Sequence, residues 1–173
     1  MKRLFLLVFL LIPALSWAQY PNTHFIQATP TIDTSAYATG ELMGGKMTFT
    51  GALRSQTGSG FLVSVTVSDK AATTTDMELV LFGADPSSTT FTDQAAFDPA
   101  DADLSKVIAV IALGSAERFT WNDNAVKYKG SLAIPIGQVG VNSVTIYGAL
   151  VSRGAPTFAT SGDMTVTLGV SQD

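Results

Sequence analysis

Cysteine is absent from this chain, which removes disulfides, thiol nucleophiles, thiolate metal sites and any cysteine-borne lipid anchor. Histidine occurs once, at His24, so a serine nucleophile has almost no choice of base, and no Gly-x-Ser-x-Gly elbow is present. Charge is scarce, at 14% of residues, and its balance is acidic, with a formal net charge of −4. A nucleic-acid binder would show a basic stripe; none is present, and no nucleic-acid partner is expected. The carboxylates gather in one loop rather than pairing across a cleft, which speaks against a glycosidase. The expectation is a protein that is not an enzyme and carries no cofactor.

The N-terminus is the one place with a sustained apolar run. Met1-Lys2-Arg3 is basic, Leu4 to Leu15 is apolar but interrupted by Pro13, and Ser16-Trp17-Ala18 places small residues before Gln19. That layout predicts a secretory signal peptide over residues 1–18, the alternative being an uncleaved anchor, although the run is short for a membrane span and holds a proline. A lead-in containing His24 is expected over 19–27, and a single domain over 28–173. The mature chain is therefore expected to have no membrane span.

Gly, Ser, Thr, Ala and Val are plentiful, a composition that favours short strands and turns. Phe25 to Ile32 reads as a first strand, with Pro30 marking an edge or bulge, and Met47 and Phe49 point inward from a short second one. Phe61 to Ser68 alternates, placing Phe61, Val63, Val65 and Val67 on one face. Met77 to Phe82 answers it across a polar connection, and Val107 to Leu113 is apolar on both faces, as a central strand would be. Arg118 to Trp121, Val126 to Lys129, Leu132 to Ile136, Asn142 to Val151 and Thr165 to Val170 complete the set. About eight or nine short strands at this spacing predict an all-β protein, an antiparallel β-sandwich of jelly-roll or Ig-like type.

Between the strands at Phe82 and Val107 runs a polar excursion, Gly83 to Lys106, carrying Asp85, Asp93, Asp98, Asp101 and Asp103. Asp98, Asp101 and Asp103, with Asp93 as a further donor, are candidate calcium ligands, although the EF-hand spacing and its glycine are missing. A helical turn over Pro99–Lys106 accounts for the same residues without metal: Asp98 as N-cap, Pro99 as first helical residue, Asp101 near the positive helix end. Gly40 to Lys46 nearly spells a phosphate-binding loop, but Met47 replaces the required hydroxyl and a strand follows instead of a helix. Trp121, beside Asn122-Asp123-Asn124, could form with Tyr128 a platform for stacking a glycan, although such rings more often pack in a core or rim.

Three stretches resemble a family of small proteins encoded by tailed bacteriophages. They are Thr29-Pro30-Thr31-Ile32-Asp33-Thr34-Ser35-Ala36-Tyr37 with Gly44-Gly45-Lys46-Met47-Thr48-Phe49; Thr89 to Thr92 with Ala100-Asp101-Ala102-Asp103-Leu104; and Leu150 to Thr157 with Asp163-Met164-Thr165-Val166 and Gln172-Asp173. The likeness runs from about Ala28 to the end. It implies a virion structural or decoration subunit that associates with itself or with other structural proteins, and it brings no catalytic residues. By this resemblance the location would be the virion; by the leader alone it would be export to the periplasm or beyond. The alternative function is a secreted or cell-surface module that binds a glycan or a partner protein.

Overall fold

The computed structural model describes residues 22–140 and 143–172; the expected signal peptide lies outside them. Among the described residues ten strands follow one another: β1 (Asn22–Ala28), β2 (Met47–Phe49), β3 (Ser59–Asp69), β4 (Met77–Phe82), β5 (Val107–Leu113), β6 (Arg118–Thr120), β7 (Ala125–Lys129), β8 (Ile134–Gly137), β9 (Ile146–Ser152) and β10 (Met164–Gln172). They form two antiparallel sheets. The first has the order β1-β10-β3-β7-β6, with β8 also on β3; the second has the order β2-β9-β4-β5. This is a β-sandwich. Its core lies between the sheets, where Leu62, Val65, Val67, Val166, Leu168 and Val170 of the first meet Phe49, Leu79, Leu81, Ile111 and Leu150 of the second.

Several strands depart from their sequence reading, each for a local reason. The first strand is Asn22–Ala28, so His24 and most of the expected lead-in are paired with β10. The strand ends before Pro30, whose ring packs against Gly44; a Cβ there would stand 2.6 Å from the Pro30 Cβ, and Gly44 also has φ +78°. Only glycine meets both conditions.

In β3 the alternation breaks. Ser64 pairs with Gly169 but Leu62 pairs with Val170, leaving Val63 as the extra residue of a β-bulge. The bulge turns Leu62 into the core and Phe61 out to solvent, so the expected inward face of Phe61, Val63, Val65 and Val67 holds only for Val65 and Val67. Strand β5, expected at a sheet centre, is an edge strand paired only with β4. The strand buried on both faces is β4: Met77, Leu79 and Leu81 enter the core, while Val80 and Phe82 lie beneath a second apolar cluster.

The bulge makes a direct expectation. Leu62→Ala should lower stability by about 2–5 kcal/mol, the usual cost of truncating a fully buried leucine, whereas Phe61→Ala should cost far less. Urea unfolding of both variants checks this, and a larger loss for Phe61→Ala would put the bulge in the wrong place.

Candidate functional site

The acidic excursion is a cover. Phe91 and Phe97 press onto Leu42, Val80, Phe82, Ala149 and Val151, the outer side of the second sheet. The rings of Phe82 and Phe91 meet edge-on at 6.3 Å between centroids, and Phe91 meets Phe97 at 5.9 Å. Backbone bonds tie the cover down: Leu42 N to Ala95 O, Gln94 N to Leu42 O and Phe97 N to Gly40 O.

Its carboxylates are anchors. Asp93 Oδ1 accepts from the buried Tyr37 hydroxyl at 2.7 Å and from Gly44 N at 2.6 Å. Burial, and then the bond to Asp93, push the Tyr37 phenol well above its ordinary range. Asp103 is completely covered, by the thin polar loop itself rather than by the deep core. It accepts from Ser88 N, Thr89 Oγ1 and Lys106 Nζ, at 2.9, 2.7 and 2.6 Å. Covering it would raise the carboxyl, but the bonds from Lys106 and Thr89, the Lys106 charge and the Ser88 amide outweigh this and hold it low. Lys106 also donates to Asp85 O, and Lys46 pairs with the Asp85 carboxylate at 2.5 Å.

The three candidate calcium ligands do not converge. Asp103 is engaged by a lysine, while Asp98 and Asp101 are exposed. Among the described residues no group of three or more carboxylate or imidazole side chains is placed to share a metal ion. The helical turn is shorter than expected: α1 spans Asp101–Leu104, its N-cap is Ala100, and no side chain caps it. Asp98 therefore is not the cap and Pro99 is not the first helical residue. The reason is Asp103, whose pull on Ser88 and Thr89, with Thr89 Oγ1 accepting from Ala100 N, fixes where the turn begins. In the near-phosphate loop, Lys46 is occupied by Asp85 and lies 5.3 Å from the Tyr147 ring centroid. Asp69 and Asp163, also buried, accept amide and hydroxyl bonds from Ala71 and Thr73 and from Ala159 and Thr160 respectively, closing their own loops.

Among the described residues the first sheet has no such cover. Its outward positions are Thr23, Phe25 and Gln27 on β1; Thr165, Thr167, Gly169 and Ser171 on β10; Ser59, Phe61, Ser64, Thr66 and Ser68 on β3; Val126 and Tyr128 on β7; Phe119 on β6; and Pro135 on β8. Among the described residues no outward strand position of this sheet carries a charge. Phe25 is 72% exposed, Phe119 56%, Tyr128 48% and Phe61 44%, with Trp121 at 62% just beyond β6. Phe25 leans over Gly169, where a Cβ would stand 3.2 Å from its ring and 2.3 Å from Ser64 Oγ. The charged pairs Arg153–Glu78 and Lys46–Asp85 belong to the other side of the sandwich. Sequence reasoning noticed Trp121 and Tyr128 but missed the face, because its members come from six strands and only the pairing register brings them together.

That register has a second consequence. Opposite Val65 and Val67, β7 must present Lys129 and Lys127 inward. Lys129 reaches Glu117 and the Ala112 carbonyl. Lys127 is buried, and among the described residues its Nζ has no hydrogen-bond partner. Burial, then the Arg118 charge beside it, lower its affinity for a proton against the opposing pull of Asp76, Asp69 and Glu117.

No family model matches the chain, and neither a curated protein nor a solved structure matches it. Among the described residues no helix is long and apolar enough to cross a membrane.

If Asp103 rather than Asp98 organises the cover, the two should respond differently to substitution. Asp103→Asn is expected to lower the melting temperature by several degrees and Asp98→Asn to leave it almost unchanged. Because the folded carboxyl of Asp103 is held below its unfolded value, its contribution is present at neutral pH and is lost as pH falls through that depressed value. Melting curves from neutral to acid pH check this: the gap between wild type and Asp103→Asn should close at the acid end, and a constant gap would contradict it.

Proposed function

We propose that this chain is a non-enzymatic structural subunit of a phage-like particle, a decoration or accessory protein, that works by packing the bare face of its six-stranded sheet against protein. The observation that carries this reading is the asymmetry of the sandwich. One sheet is covered by the chain's own loop, while the other presents Phe25, Phe61, Phe119 and Tyr128 among Ser and Thr with no charge between them. Four large rings exposed on one face of a sheet are more apolar surface than a single stray residue would give, and such surface favours an interaction site. An uncharged sheet face can also meet another flat surface without desolvating an ion.

The non-enzymatic reading is supported by where the reactive groups sit. The buried carboxylates Asp69, Asp103 and Asp163 hold loops, and His24 lies exposed on an edge strand. The likeness to tailed-phage proteins over most of the chain points in the same direction.

A second reading, an exported module that binds a glycan, has one observation in its favour: Phe119, Trp121 and Tyr128 are exposed close together at one corner. Glycan sites pair stacking rings with directional polar groups; Asn122 and Asn124 adjoin Trp121, but among the described outward strand positions of this sheet only Gln27 carries an amide, so such groups are confined to that corner and the rest of the face lacks them. This favours protein over sugar.

The test is to purify tailed particles from a host that carries the gene and to look for the chain by mass spectrometry. It should be present in stoichiometric amount, and a chain carrying Phe61→Glu with Phe119→Glu should fold but be missing from the particles. Its absence from particles, together with binding to an immobilised glycan array that Trp121→Ala abolishes, would establish the second reading instead.

A further inference from the structure

We infer that the bare face of the six-stranded sheet is a self-association surface, on which a second copy of this chain stacks face to face. This rests on the assembly reading above and names the occupant of the same face. Three features of the molecule select a second copy.

The first is charge. The chain is acidic overall, so two copies repel where their charged sides approach. The outward positions of the first sheet are the exception, since an uncharged face opposed to itself brings no like charges together. A basic partner would find no carboxylate there, and an acidic partner no lysine.

The second is extent. The face is five strand columns wide, β8 continuing the column of β7 along β3. At about 4.8 Å per strand and about 3.3 Å per residue it spans roughly 24 by 20 Å, or about 480 Å². Two such faces in full overlap bury about 960 Å² before side-chain relief is counted, and the protruding rings carry the total past the roughly 1,000 Å² that a specific interface needs.

The third is relief. The central columns carry Ser64, Thr66, Ser68, Thr165, Thr167 and Gly169, with Phe61 near one end of β3, and the other rings flank them, Phe25 on β1 and Phe119 with Tyr128 on β6 and β7. A twofold axis lying in the face along β3, its middle column, sets Tyr128 of each copy over Thr167 of the other and keeps all five columns in contact. Sheets stacked in this way pack about 10 Å apart, as the two sheets within one sandwich do. A twofold contact is the commonest closed assembly and leaves no further copy of the face exposed to propagate it.

The rival surface on the same molecule is the free edge of β5, where Val110 is 59% exposed. Part of that edge is guarded, since Lys129 donates to the Ala112 carbonyl. A lysine head on an edge strand disfavours addition of a further strand.

Sedimentation velocity of the purified chain across a concentration series tests the inference. Wild type should move from monomer to dimer as concentration rises. Thr66→Glu, at the centre of the face, should stay monomeric with an unchanged circular-dichroism spectrum, as should Phe61→Ser if the first variant folds poorly. Val110→Glu, on the β5 edge, should dimerise as wild type does. A wild type that remains monomeric throughout, or a dimer that survives Thr66→Glu and Phe61→Ser, or one lost in Val110→Glu, overturns the inference. The particle test is independent of it. A monomeric chain found in particles would refute self-stacking alone, and a dimeric chain absent from particles would refute the structural role alone.

Discussion

The rest of the molecule depends on how the Gly83–Lys106 segment is fastened to the second sheet. A two-sheet sandwich has two outer faces, and strands such as β4 and β9 whose outward residues are Val80, Phe82, Ala149 and Val151 cannot leave theirs in water. The cover removes that surface from solvent with Phe91 and Phe97, and its backbone and carboxylates are held by Tyr37, Gly44, Lys46 and Lys106. A loop of this length would otherwise lose its ordering contacts to chain entropy. Aromatic burial supplies the drive, and the charge-assisted bonds to Asp93 and Asp103 fix the position. An acidic loop thus becomes a structural cover over a hydrophobic layer.

Its consequence is a division of labour between the two outer faces. The covered side carries the Lys46–Asp85, Lys106–Asp103 and Arg153–Glu78 pairs; the outward positions of the bare side carry hydroxyls and rings. The inward turn of β7 belongs to the same arrangement, because bringing Val126 and Tyr128 outward enriches the bare face and forces Lys127 and Lys129 toward the core. Lys129 finds Glu117, but Lys127 is left with its stem in the interior and its head among Arg118, Asp76, Asp69 and Glu117 without a direct bond. A buried lysine of this kind is a cost to stability. It is the cost of the register that builds the outer surface, since a slip by one residue would exchange the faces.

Period-two alternation made the all-β class and most strands legible in the sequence, and the clean pattern of Val166, Leu168 and Val170 placed β10 correctly. What it could not carry were features set by pairing. The bulge at Val63 leaves no mark on composition, so Phe61 and Leu62 exchanged roles. Val107 to Leu113 is as apolar as a central strand because its outer side is partly sheltered by the cover and its inner side faces the core, and neither fact is local. Asp98-Pro99 has the composition of a helix start, yet the side-chain bonds of Asp103 and Thr89 outweigh that propensity. Of the candidate site, Trp121 and Tyr128 were visible as a candidate stacking platform, Phe61 read as inward until the bulge turned it out, and Phe25 and Phe119 had no assigned face until the register gave them one.

The claim that the bare sheet is the working surface is tested most directly by hydroxyl-radical footprinting of the free chain against the chain in its assembled state. The account predicts that Phe25, Phe61, Phe119 and Tyr128 lose most of their labelling on assembly, while Leu104 and Val110, exposed on the covered side, keep theirs. Undiminished labelling of the four rings, with protection moving to Leu104 and Val110, would contradict it.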